Sequence, residues 1–599
     1  KEVIYPSRGL IYDRNAKVLV ANDVVYDLMV IPNRVKGIDT LRFCDLLEIS
    51  AIDFGKYLNK ARKYSPYKAS LFMGQIPKED FAYLQEVLYE FPGFYVQKRT
   101  LRRYPKAIAA LNLGDVGEVN RRDLKNDRYY QLGDYIGKSG IERHYEDELR
   151  GEKGAEYVMV DVFNRYKGSY KEGRFDTLAV QGKDLHTGLD MELQAYGEKL
   201  MRNKIGGIVA IEPSTGEILS LVSAPSYNPN LLVGRERSRN YNKLHNDSIH
   251  LPLIDKGLLR MHAPGSPFKI VQGLVGLQEE IITPKTSFRC FHGYRYGSRK
   301  SEFMGCHCGI YNKPIKLREG LAKSCNSYFS NVYKRIIEKY PTASEGMNNW
   351  NRHISSFGLG QYLGYDLPQG QKGLIPNGKY YDNRYRYTWN ASTNISNSIG
   401  QGEVLTTPIQ LANFTAAIAN KGYFYTPHIV KKIDSKIIDN PKYTVKKQTT
   451  INKEYFTPVI EAMHEVFKTG TGRWSQVKGI EICGKTGTAE NSIKMVDGIK
   501  IQAEDHSILV AFAPKDNPKI ALAVFVENGG YGSTIAAPIA SLLVEKYLNG
   551  SISKANKYRE LNILNMICII TVFSSPFVRY VKKSDKGHLR NFIQRKRKN

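Results

Sequence analysis

The stretch GGIVAIEPSTGEILSLVSAP, Gly206 to Pro225, places two apolar runs around Pro213, Ser214, Thr215 and Gly216. Apolar runs of strand length flanking turn-forming residues read as a β-hairpin. Nearly 300 residues later, HSILVAFAP (506–514) and KIALAVFVEN (519–528) flank Lys515, Asp516, Asn517 and Pro518, a second strand pair. AAPIASLLVEKYL, Ala536 to Leu548, then reads as a closing helix with proline in its first turn. Between the strand pairs, helical spacing recurs at 269–280, 315–338, 408–421 and 456–468. Strands at both ends of a helical middle require one mixed or antiparallel sheet assembled from distant segments, an α+β fold.

Upstream of about residue 184 the texture differs. IYDRN followed by VLVANDVVYDLMVIP reads as a hairpin-like strand pair. LRFCDLLEI and FAYLQEVLYEF have helical spacing, the second opened by Pro77 and closed before Pro92. The expected division is an extended α+β region at 1–184, a large domain at 185–550 and a basic tail at 551–599.

Chemistry is concentrated in three short segments. In MHAPGSPFKIVQGLVGLQEE, Ser266 precedes an apolar helical run and reads as its N-cap, with Pro267 at the first helical position. Lys269 lies one turn on, and because helical side chains point back toward the N-terminus its amine is expected to reach the Ser266 hydroxyl. A serine nucleophile needs a base, and a desolvated lysine can supply one near neutral pH. Ser-x-x-Lys alone is weak, since it recurs at Ser65, Ser475 and Ser551. The company it keeps decides. Ser324, Cys325 and Asn326 open another helical pattern, offering a hydroxyl and an amide two residues apart. Lys485, Thr486, Gly487 and Thr488 follow a strand-like Ile480, Ile482 alternation, where a lysine can meet a carboxylate and Gly487 allows close backbone approach. The same four letters occur at Lys468 to Thr471, but behind the helical run TPVIEAMHEVF, where Gly470 reads as a helix-terminating glycine.

Composition narrows the class. The 599 residues, 42% hydrophobic and 24% charged, exclude wholesale disorder, and seven cysteines are too few for a disulfide framework. The net charge of +28 raises nucleic acid as a partner, but residues 551–599 hold twelve Lys or Arg against two acids, and no nucleic-acid-binding signature accompanies them. No nucleic-acid partner is expected. Cys290, His292, Cys306, His307 and Cys308 crowd together, so zinc, a disulfide or plain buried thiols are open readings. Ile563 to Val581 approaches spanning length and precedes an RKRK run at 595–598, so it reads either as a membrane segment or as a loosely structured tail. The chain starts at Lys1 rather than Met, and an N-terminal piece is expected to be missing.

The three segments, in that order, resemble the signature of the penicillin-binding proteins and serine β-lactamases. SRGLIYDRNAKVLV (7–20) is similar to the opening motif of class B members, with Ala16 where glycine is usual, and GKSGIERHYEDELRGEKGAE (137–156) is similar to an element of their non-catalytic pedestal. VAIEPSTGEILSLVSAPSYNPN and IGQGEVLTTPIQLANFTAAIANKG match their transpeptidase domain. The elongation-type members are the nearest likeness. The resemblance implies a pedestal, or dimerisation, domain followed by a β-lactamase-like transpeptidase domain whose sheet is flanked by helices. It implies a D,D-transpeptidase that crosslinks peptidoglycan stem peptides through an acyl-enzyme on Ser266 and binds penicillin and other β-lactams there. Lys269 would activate the serine, Ser324 and Asn326 would relay a proton and hold the substrate amide, and Lys485 with Thr486 would bind the terminal carboxylate. Gly487 and Thr488 would complete the substrate strand, with the Thr488 and Ser266 backbone N–H groups as the oxyanion hole. A carboxypeptidase, a β-lactamase or a β-lactam sensor shares the triad; the pedestal argues against the last two. The chemistry requires no cofactor, although some relatives carry zinc between the first two motifs. The resemblance also implies a membrane glycosyltransferase partner from the cell-elongation machinery and a catalytic domain on the periplasmic side of the inner membrane.

Overall fold

The computed structural model describes residues 2–568 except 77, 132, 162–165, 492–493, 497–498 and 502–503. Pro77, the end of the 563–581 stretch and the RKRK run therefore lie outside the described residues.

The pedestal is built on a hairpin of β1 (Ile11–Tyr12) and β2 (Val18–Val30), in register Ile11 opposite Val20. The Asp13 carboxylate closes the turn by accepting from the backbone N–H of Asn15 and Lys17, both at 2.8 Å. Ala16 there has φ +62°, the left-handed region in which glycine costs least, which accounts physically for the resemblance's one mismatch at this motif. The long strand β2 continues outward to pair antiparallel with β3 (Ser70–Ile76) and β4 (Phe94–Arg103). Helices Thr40–Leu46, Ala51–Tyr64 and Lys78–Val87 accompany these strands, and Phe43, Phe54, Phe72, Phe91 and Phe94 fill the core they share. The same sheet runs back through Leu185–Thr187, parallel to β1, to Val430–Ile433, so the pedestal and the large domain share hydrogen-bonded backbone.

In the large domain, β5 (Gly206–Ile211) and β6 (Ile218–Ala224) form the expected hairpin. With β7 (Cys483–Ala489), β8 (His506–Ala513) and β9 (Ile520–Val526) they make a five-stranded sheet in the order β6, β5, β9, β8, β7, antiparallel at every pairing. Successive side chains on a strand point to opposite faces. Val209, Ile211, Ala521, Ala523 and Phe525 therefore join one core, while Ile208, Ala210, Leu522, Val524 and Val526 join the other. Burial on both faces explains why these strands read as continuous apolar runs.

The helical middle supplies α1 (Lys269–Gln278), α2 (Asn326–Glu338), α3 (Pro408–Ala419) and α4 (Phe456–Lys468). The closing helix is α5 (Ala536–Asn549). It is followed by α6 (Lys554–Asn565), so the opening part of the basic C-terminal segment is docked on the large domain. The fully buried Lys204 amine donates to the Ile563 and Met566 carbonyls, and Asn556 Nδ2 donates to Glu545 Oε2. No helix among the described residues is long and apolar enough to cross a membrane.

Candidate active site

Ser266 does not cap a helix as the spacing suggests. It opens a 3-10 turn, Ser266–Phe268, that runs into α1, and the cap position is Gly265 at φ +61°. Gly265 N–H donates to the Gly400 carbonyl at 2.9 Å, and a Cβ on Gly400 would come within 2.4 Å of the Gly265 carbonyl oxygen. The IGQG stretch thus wedges the backbone beneath the serine, and only a glycine fits there.

Lys269 begins α1 and is fully buried. Its ammonium makes three hydrogen bonds, to the Ser324 carbonyl at 2.9 Å, to Ser324 Oγ at 3.1 Å and to Asn326 Oδ1 at 2.5 Å. Ser324 Oγ in turn donates to Ser266 Oγ at 2.8 Å. The expected direct contact of amine and nucleophile is therefore replaced by a chain through Ser324. The helix predicted across 315–338 is broken at this point into Leu317–Ala322 and α2, and Ser324 sits at φ +59°. A left-handed non-glycine residue costs of order 1 kcal/mol or more and persists only where its surroundings impose it, which is common at functional sites. Both ends of the Asn326 amide are engaged, with Oδ1 accepting from Lys269 and Nδ2 donating to the Gly305 carbonyl at 2.8 Å. In this arrangement the amide that the resemblance gives to substrate holds the lysine.

Burial pushes the Lys269 amine down to about 8, against a smaller opposing pull from the neighbouring cysteines. Desolvation of a charged amine favours its neutral form. Lys485, on the edge strand β7, is also fully buried; desolvation first, and then repulsion from Lys269, hold it well below the ordinary lysine range. Its amine donates to the Thr486 carbonyl at 2.9 Å.

A cleft of about 380 Å³ opens over these groups. Ser266, Ser324, Asn326, Thr486, Gly487 and Thr488 line it, while Lys269 and Lys485 lie beneath its wall. All eight residues singled out from the sequence are thus at the floor of the cleft or directly beneath it. Gly487 has a reason beyond ligand approach, because a Cβ there would lie 2.4 Å from Pro267 Cδ. The residue after the serine packs onto the glycine of the third motif. Thr471, from the copy of that motif read as a helix end, also lines the cleft, and its Oγ1 lies 2.5 Å from Thr486 Oγ1. Lys323, Gln401, Glu490, Asp505 and Tyr531 also line the cleft. These were invisible beforehand because they reach the cleft from loops with no spacing signal; only Thr471 carried one, and its helical context masked it.

The cysteine cluster is real but differently composed. The sulfurs of Cys290, Cys306, Cys308 and Cys325 lie within 4.8 Å of one another, all buried, a donor set that can hold a metal ion. Cys325, the middle residue of the second motif, replaces the two expected histidines. His292 stacks on Tyr311 at 3.9 Å, and His307 is exposed on the cleft rim. The Cys325 contact, backed by backbone N–H groups, draws the Cys306 thiol down toward the thiolate, and Asn326 N–H donates to Cys306 Sγ at 3.3 Å. All seven cysteines are free thiols.

Two family models match this chain: the penicillin binding protein transpeptidase domain over residues 206–545 and the penicillin-binding protein dimerisation domain over 3–187. The chain belongs to the penicillin-binding protein family. This penicillin-binding protein is 32% identical over 561 residues to the peptidoglycan D,D-transpeptidase MrdA of Acinetobacter baumannii, spanning 91% of the chain and 80% of the relative. It resembles the structure described as a complex between penicillin-binding protein 2 and MreC from Helicobacter pylori, with TM-score 0.75, 26% identity and coverage of 92% and 99%. A further similar structure is described as structural coordination of polymerization and crosslinking by a peptidoglycan synthase complex, with TM-score 0.72, 25% identity and coverage of 92% of each chain. The resemblance to class B penicillin-binding proteins, and among them to penicillin-binding protein 2, is borne out, as are the pedestal and transpeptidase folds and the serine acyltransferase class.

Proposed function

We propose that this penicillin-binding protein is a peptidoglycan D,D-transpeptidase in which Ser266 is the nucleophile. The observation that carries the reading is the hydrogen-bonded chain from Lys269 through Ser324 to Ser266 under a cleft edged by β7. With Lys269 neutral the two hydroxyls turn, Ser324 donating to the amine and Ser266 to Ser324; Lys269 then accepts the Ser324 proton while Ser324 takes that of Ser266, and the freed alkoxide attacks the penultimate D-Ala carbonyl of a stem peptide. The terminal D-Ala leaves with the returning proton, and an amine from a neighbouring stem resolves the acyl-enzyme to form the crosslink. Backbone N–H groups of Ser266 and Thr488 stabilise the oxyanion, an effect worth about 3–4 kcal/mol for one such donor. Lys485 and Thr486 hold the terminal carboxylate, and the open edge of β7 pairs with the extended peptide.

Covalent labelling with fluorescent penicillin tests this assignment. Label should be lost in Ser266→Ala, and equal labelling of that variant would overturn the nucleophile. Crosslinked product from lipid-linked pentapeptide, beyond released D-Ala, separates transpeptidase from carboxypeptidase.

The cysteine cluster suits a structural zinc. Four thiolates match the all-sulfur tetrahedral sites of that metal, and bound there it would hold Cys325, and with it Ser324 and Asn326, in place. The expected division stays at 1–184, 185–550 and 551–599. The similar structure described as coordinating polymerization and crosslinking in a peptidoglycan synthase complex supports a membrane glycosyltransferase of the cell-elongation machinery as partner, the one described as a complex with MreC supports an MreC-like protein as a second, and the catalytic domain would work on the periplasmic side of the inner membrane.

A further inference from the structure

A second hollow lies between the pedestal and the large domain, about 80 Å³ in volume and lined by no residue of the three motifs. Six cations line it: Arg8, Arg99, Arg102, Arg150, Lys153 and Arg237. The one carboxylate on its wall, Asp134, is fully engaged, pairing with Lys153 and accepting from Tyr5 Oη at 3.0 Å and from Gln131 N–H at 2.7 Å. The other acids stand behind the wall. Glu142 and Glu146 hold Arg8, Glu142 pairs with Arg102 Nε at 2.7 Å, Asp27 with Arg99, Asp127 with Arg150 and Asp115 with Arg237.

The pairing is incomplete among these lining residues. Arg102, whose side chain is 2% exposed, uses Nε on Glu142 and Nη1 on Asn22, and its Nη2 has no hydrogen-bond partner among the described residues. Arg8 Nε and Arg237 Nε are likewise buried without partners. Arginine carries donors only, so these orphans can be satisfied only by an acceptor. Leaving a buried charged donor unpaired is costly, and such groups in native proteins ordinarily mark a bound water or ion. Burial holds the Arg102 guanidinium below its usual range despite Glu142 beside it, as expected for a cation whose desolvation is under-compensated. The space exceeds that of one water, and planar guanidinium groups converging from three chain segments suit the lone pairs of an oxyanion.

We infer that this cavity binds a small oxyanion, a phosphate or carboxylate group, through Arg102, Arg8 and Arg237. Arg8 and Arg102 belong to the pedestal and Arg237 to the transpeptidase domain, so occupancy ties the two together and stiffens their junction. A phosphate would come from a lipid-linked precursor, a carboxylate from a stem peptide.

The test is thermal unfolding of the whole chain in chloride, orthophosphate or acetate at matched ionic strength, with direct binding of radiolabelled orthophosphate by equilibrium dialysis. An occupied site should raise the midpoint by about 2 °C at ligand well above its dissociation constant. Arg102→Gln should abolish the shift. Because that change leaves Glu142 buried and less well paired, Arg237→Gln, at a side chain 24% exposed, provides the second variant; it should weaken binding at least tenfold while penicillin labelling stays unchanged. A shift with phosphate alone assigns the phosphate source, and one with acetate alone assigns the carboxylate. No shift with either anion, or shifts that persist in both variants, would mean that the cavity holds only water and would overturn the proposal.

Discussion

Two stretches of this chain carry the same four letters, Lys-Thr-Gly-Thr, at 468–471 and at 485–488, and the fold treats them differently. Lys468 ends α4 and projects into solvent, whereas Lys485 is fully buried on β7 above the same helical layer. In the first copy the glycine follows the helix cap and lies so close to the Ala322 carbonyl oxygen that a Cβ would sit 2.3 Å from it; in the second it accepts Pro267. Identical residues meet different surroundings, because the fold buries the Lys485 amine and desolvates it while Lys468 stays at the surface. The sharpest break of this comparison is a paired replacement. Lys485→Ala should lower the rate of penicillin acylation by about 10²–10³-fold, in line with losing one charge-stabilising group from an acyl-transfer site, while Lys468→Ala should leave it near the starting value. Equal losses would mean that the second copy has no special role.

Much of the fold was legible because its signals were local and redundant. The apolar runs in 206–224 and 506–526, the turn residues between the strands and the proline in α5 all point the same way, and the sheet follows. The three motifs were legible by order and spacing. What escaped was long-range. Nothing at Ser324 announces a left-handed backbone, which arises because the chain must turn between Leu317–Ala322 and α2 while keeping the hydroxyl beside Lys269. Cys325 is hidden by its own motif, and the two histidines, adjacent to the cysteines in sequence, stand apart from the cluster in space. Gly487 reads from sequence as room for a ligand, and its packing on Pro267 shows only in the fold.

A second prediction concerns the buried Lys269. With the Lys269 amine brought down to about 8, its neutral form dominates above that pH and is lost below it. Acylation by penicillin should therefore rise with pH and level off above about 8, falling about tenfold per unit on the acid side. A flat profile from pH 6 to 9 would remove Lys269 as the base. Next in size is Gly487→Ala. Displacing the rigid Pro267 ring should cost about 1–3 kcal/mol of stability and shift the serine beside it, read as a lower unfolding midpoint together with slower labelling. If the variant unfolds and labels like the parent protein, the packing argument for that glycine fails.

The smallest effect joins the two copies. Thr471 Oγ1 and Thr486 Oγ1 lie 2.5 Å apart, so the copy on the helix end orients a hydroxyl of the copy on the strand. Thr471→Val keeps shape but removes the hydrogen bond, leaving Thr486 free to rotate where a substrate carboxylate would dock. One neutral hydrogen bond is worth about 1 kcal/mol net, so acylation efficiency should drop about fivefold, through weaker binding more than through slower chemistry. Thr471→Ser restores the hydroxyl and should restore most of the rate, which a purely structural role for the methyl group would not predict. Were valine and serine to behave alike, Thr471 would return to its first reading, a residue that merely follows a helix end.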